Sequence, residues 1–264
     1  MSTYKSLIAL SGIYVLTILF GLITAQTLIQ QIYVEESIKP MVDDPSSPAS
    51  TIQILLYIVG ATGVMLVLIK MGLTGIIKAF MYLAFFSGTL ITLTVMLGFY
   101  GVPLSLALFL LFIYRNNEVI VLDVCLIPAI AGLGAFLGAS LDLLPALILL
   151  VALTVYDFLA VFKTKHMVTL AKSGDTLPFM VKVPVGGRTL GLGTGDLAIP
   201  LAFTVSTFRA YGMGYAIPTM LGGLMGLTVL FYYTTSEERG VLPALPPLAV
   251  GLLFGLNTAL FTLG

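Results

Sequence analysis

Nine apolar runs follow one another along this chain with only short polar breaks between them, and most approach the roughly 20 residues a helix needs to cross the hydrocarbon core of a bilayer. They cover about residues 7–34, 52–69, 79–97, 103–114, 119–137, 143–162, 190–208, 215–233 and 243–263. Such a pattern leaves one fold class: an all-α membrane protein of nine transmembrane helices, since each span must satisfy its own backbone hydrogen bonds in lipid. The whole chain, 1–264, reads as one polytopic domain: spans 1–6 over about 7–162, a cytosolic loop over 163–189, and spans 7–9 over 190–263. The fourth run is short, about 20 Å as a helix. Only 9% of the residues are charged, against about 25% in soluble domains. The first run continues past any small-residue cleavage site, so it reads as a span and not as a signal peptide. The expected location is a cell membrane, with the chain crossing it many times.

The cations test the count. If the spans alternate, one side receives Lys5, Lys70, Lys78, Arg115, Lys163, Lys165, Lys172, Lys182, Arg188 and Arg239, and the other only Lys39 and Arg209. By the positive-inside rule the N-terminus is then cytoplasmic and the C-terminus extracellular. Net charge is zero, which gives no reason to expect a nucleic-acid partner. Cys125 is the only cysteine and His166 the only histidine. A zinc site of the HExxH type needs two histidines. A Ser–His dyad would need His166, which stands among loop lysines and reads as a solvated residue. No metal and no cofactor is expected.

Three acids stand inside apolar runs: Asp123, Asp157 and Asp196. A carboxylate at mid-bilayer costs at least about 2.5–3.5 kcal/mol on insertion scales, so each is a functional candidate. Asp157 lies about 9 Å below the interface marked by Lys163 if the run is helical, and Asp196 about 12 Å below that marked by Arg188. Consecutive antiparallel spans would bring the two to one depth. Two carboxyl groups at near contact split into one ionised and one protonated member, the requirement for general acid–base hydrolysis. Tyr156, beside Asp157, offers a hydroxyl to orient a partner or a carbonyl. Gly191, Gly193 and Gly195 precede Asp196; they fit a loosened backbone that admits water and substrate, and equally a helix-packing stripe. A short β element or unwound backbone is expected near Gly191–Gly195 and near Pro243. Asp123 lacks such flanking features and reads as structural. The run VLPALPPL at 241–248 removes backbone donors at Pro243, Pro246 and Pro247. That fits an ordinary helix start, or an unwound turn whose free backbone holds a substrate strand.

Tyr156-Asp157 in the sixth run, Gly193-Thr194-Gly195-Asp196 in the seventh and Pro243-Ala244-Leu245 at the start of the ninth stand in the order found in the presenilin and signal peptide peptidase family, which the chain resembles over its whole length. The resemblance implies cleavage of single-span transmembrane substrates inside the bilayer by Asp157 and Asp196. Pro243, Ala244 and Leu245 would shape the site. The LPALP run at 242–246 is presenilin-like, whereas Pro200, four residues after Asp196, is more like signal peptide peptidase. The short loop between the aspartate spans resembles that of archaeal homologues and implies a single-chain enzyme with no obligatory accessory subunit; self-association stays open. Two other classes fit part of the pattern. An ion leak channel or transporter could line a path with the same aspartates, but the halves show no internal repeat. A prepilin-type GxGD peptidase leaves the proline turn unexplained.

Overall fold

The computed structural model describes residues 3–115, 118–161, 180–185, 188–236 and 242–264. His166 and its neighbouring lysines, and Arg239, lie outside the described residues. The helices are α1 (Thr3–Tyr33), α2 (Pro48–Lys70), α3 (Thr74–Leu97), α4 (Gly101–Tyr114), α5 (Val119–Ala139), α6 (Leu143–Leu159), α7 (Gly195–Tyr211), α8 (Met213–Ser236) and α9 (Leu245–Leu263). Between α6 and α7 lie two strands, β1 (Met180–Val185) and β2 (Arg188–Gly193). Among the described residues, six stretches of helix are long and apolar enough to cross a membrane. One of these, Thr74–Tyr114, folds back on itself: Gly98 turns the chain at φ 57°, and Phe85 stacks on Phe112 across the α3–α4 pair at 4.1 Å between ring centroids.

Polar side chains inside the helices look after themselves. Thr17, Thr89 and Thr204, for example, each donate a hydroxyl hydrogen bond to the carbonyl four residues earlier, as expected where water cannot serve. The central post is α5. In its most apolar window 67% of the residues are buried, against 6% for α2. It packs against α1, α3, α4, α7 and β1. A second buried apolar cluster joins α6, α7 and α9 through Leu150, Phe203 and Leu252.

Three sequence expectations are corrected. The seventh run was expected to be helical from residue 190, but α7 begins only at Gly195, and residues 188–193 form β2. Three glycines within five residues would each cost a helix about 1 kcal/mol, and the first two lie instead in β2, which pairs with β1 from Arg188 to Gly193. The polar loop expected over 163–189 therefore carries β1 and the start of β2. Lys78, expected in a turn, sits within α3 because the turn after α2 is only Met71–Leu73, made at Gly72 with φ 72°. A long lysine stem can run along an apolar helix and bring its ammonium to the interface.

At the end of α7 away from Asp196, Arg209 bonds the Asp142 carboxylate at 2.7 Å and lies 3.9 Å over the Tyr33 ring. The Tyr33 hydroxyl donates to the Ala139 carbonyl at 3.0 Å. One guanidinium thus ties α1, α5, α6 and α7 at this end. Arg209→Met is expected to destabilise the protein by about 1–2 kcal/mol, seen as a lower Tm in detergent. Arg209→Lys should restore little of it, because an ammonium lacks the planar fork that meets ring and carboxylate together.

Candidate active site

The ninth helix explains why Asp157 is where it is. A helix start leaves its first N–H groups without intrahelical partners. In α9 the Leu245 N–H donates to Asp157 Oδ2 at 3.0 Å, and the Ala244 N–H also faces that carboxyl group. Pro246 and Pro247 have no N–H to satisfy. The whole start of α9 is therefore accounted for by one carboxylate from α6 and two prolines. Asp157 is 5% exposed, and Pro243, Ala244 and Leu245 are buried beside it. Leu242–Ala244 lies outside the helix, and prolines stand in its first turn.

Asp196 is held from the other side. The two strands form an antiparallel hairpin in which Lys182 faces Gly191 and Met180 faces Gly193. In such a ladder, pairs that exchange hydrogen bonds alternate with pairs whose backbone groups point outward. Three contacts agree on which are outward. The Lys182 N–H goes to Asp123, the Pro184 carbonyl accepts from Ser6, and the Gly193 N–H donates to Asp196 Oδ2 at 3.2 Å. Thr189, Gly191 and Gly193 thus present their backbone on the edge of β2 away from β1, an edge that no other described strand covers. At Gly193 a Cβ would stand 3.0 Å from the Asp196 carboxylate, while at Gly195 it would meet nothing within 4 Å. Asp196 is half-buried in the first turn of α7, two residues after the N-cap Thr194.

Helices α6 and α7 pack together, and the Asp157 and Asp196 carboxyl groups lie within electrostatic reach of one another. The fold thus gathers Asp157, Asp196, Gly193, Ala244 and Leu245. Tyr156, the next position around α6, is 42% exposed and makes no side-chain hydrogen bond to the described residues. Thr194 makes no side-chain cap bond and contributes its carbonyl to the start of α7. Asp123 is 7% exposed and accepts from the Lys182 N–H at 3.0 Å. Sequence reasoning missed β1, although its alternation was visible: Val181, Val183 and Val185 are buried, with Lys182 and Pro184 between them. Among the described residues no three of His, Cys, Asp and Glu lie together as a metal site would need.

A helical membrane domain with two interacting aspartates, each held by backbone N–H groups, has the makings of an acid–base centre within the bilayer. The family described as "Signal-peptide peptidase, presenilin aspartyl protease" matches residues 12–263, and the chain belongs to that family. It is an aspartic endopeptidase of the intramembrane type, embedded in the membrane by several passes. One solved structure of a presenilin family intramembrane aspartate protease, in space group C222, superposes with a TM-score of 0.72 at 24% identity, covering 97% of this chain and 98% of that one. Another, in space group P2, gives 0.67 at 27% identity over 95% and 96%. No curated protein sequence matches the chain.

Proposed function

We propose that Asp157 and Asp196 are the catalytic pair, and that the enzyme cuts peptide bonds within the transmembrane helices of single-span proteins. The observation that supports this is a pair of carboxyl groups on two packed helices, within electrostatic reach of one another and each held by a backbone donor, at Leu245 on one side and at Gly193 on the other. In the reaction one carboxylate takes a proton from a water whose oxygen bonds to the scissile carbonyl carbon. The other, protonated, donates to the carbonyl oxygen. The C–N bond then breaks, and the proton passes to the leaving amine.

A substrate helix hides its peptide bonds, so it must unwind before it can be cut. The free edge of β2 offers backbone groups to an added strand, which supports roles for Gly193 and Gly195 beside the reacting bond. Thr194 and Tyr156 are proposed to shape the entrance rather than to act on protons. Nine spans with a cytoplasmic N-terminus and an extracellular C-terminus fit the cation asymmetry. The short connection between the aspartate helices fits a single-chain enzyme without accessory subunits. An archaeal source fits the same feature.

The test is the purified protein in liposomes with a single-span substrate, followed by product mass. A cut inside the span is expected. Ion flux without any cleavage would favour the channel reading and sink this one.

A further inference from the structure

Asp123 is a buried acid that the proposed reaction does not use. It sits on α5, the most deeply packed helix, and its one hydrogen bond among the described residues is from the Lys182 N–H of β1. That bond closes the edge of the hairpin opposite the free edge of β2. Ser6, on α1, closes the same edge two residues along by donating to the Pro184 carbonyl at 2.5 Å. The valine face of β1 packs into the core with α1 and α5. A two-stranded hairpin is marginal by itself, so its position is set by what it is fastened to.

We propose that Asp123 is a positioning residue: by holding β1 at the Lys182 N–H it fixes the height of the whole hairpin, and so the register in which a strand added to β2 meets the aspartates. This rests on the protease reading and on strand docking to β2. The Lys182 ammonium also lies within electrostatic reach of Asp123, so strand anchoring must be separated from charge pairing. Register errors have a signature. A one-residue slip turns every side chain to the wrong face, and a two-residue slip restores both faces and the hydrogen-bond pattern. A loosened hairpin should therefore yield extra products displaced by two residues.

The experiment compares wild type with Asp123→Leu, Asp123→Asn and Lys182→Pro on the single-span substrate in liposomes. It also follows hydrogen exchange across residues 180–185. Asp123→Leu should raise KM about tenfold or more, leave kcat nearly unchanged, add products two residues away, and speed exchange in β1. Asp123→Asn keeps an acceptor oxygen without the charge and should behave as wild type. Lys182→Pro removes only the donor and side chain, at an edge where Pro184 already stands, and should reproduce Asp123→Leu. A folded Asp123→Leu protein with wild-type KM, products and exchange overturns the proposal; so does Asp123→Asn failing as badly as Asp123→Leu. Should Asp123→Leu not fold, a wild-type-like Lys182→Pro overturns it equally. A wild-type protein that cuts nothing defeats the protease reading, and β1 exchange still decides the anchoring.

Discussion

Asp157→Asn and Asp196→Asn are each expected to lower the cleavage rate by about 10³-fold or more while leaving the protein folded. The choice of Asn matters at Asp157. That carboxylate also satisfies the start of α9 through Leu245 and Ala244. An amide oxygen still accepts those bonds, whereas Asp157→Leu strands both donors and should cost about 1–3 kcal/mol of stability as well. A silent Asp157→Asn protein with wild-type Tm therefore assigns the loss to chemistry. The wild-type pH profile should be bell-shaped. Below its acid limb both carboxyls are protonated and no base remains; above its alkaline limb both are ionised and no acid remains. The two limbs belong to the pair, not to either residue. A single-limbed profile, or either Asn variant cutting at near wild-type rate, would falsify the two-carboxylate mechanism.

The second large effect is expected far from any carboxylate. Helices α8 and α9 approach through Gly222, Gly226, Gly251 and Gly255, and at each a Cβ would run into the backbone of the other helix. Without water to drive association, such close backbone contact is what binds two membrane helices. Gly226 abuts the Pro247 carbonyl, in the turn of α9 that starts at Leu245. Gly226→Leu should therefore lower Tm by roughly 5 °C or more through overpacking. It should also lower activity by about 10²-fold, because the displaced α9 start carries the Asp157 partners with it. Gly226→Ala should show a smaller version of both. Thermal unfolding and cleavage measured on the same preparations check the coupling, and a Tm drop with full activity would break it.

What the sequence makes legible here follows from cost. A carboxylate in lipid is expensive enough to be conspicuous, so Asp123, Asp157 and Asp196 stand out without any structure, and the prolines at 243, 246 and 247 mark a backbone with few donors. The β element near Gly191–Gly195 was readable because helices resist glycine. Its partner strand was not read, because Lys182 and Pro184 made residues 180–185 look like loop and the period-two valines were outweighed by that polarity. Depth measured at helical rise also failed between Arg188 and Asp196, where the chain is extended. The role of Asp123 could not be read at all: its partner is a backbone N–H 59 residues away, and backbone donors carry no letter in the sequence. Asp157 as the acceptor for the α9 start was hidden for the same reason.

The bond from Leu245 to Asp157 spans 88 residues, and that distance has a consequence in time. During synthesis α6 enters the membrane long before α9 exists. A nascent chain that has delivered Asp157 and even Asp196 still lacks the turn that holds Asp157, and the α8 glycines wait for the helix they are shaped to meet. Until α9 is in place, the Asp157 carboxyl group lacks the backbone donor at Leu245 that holds it in the finished fold.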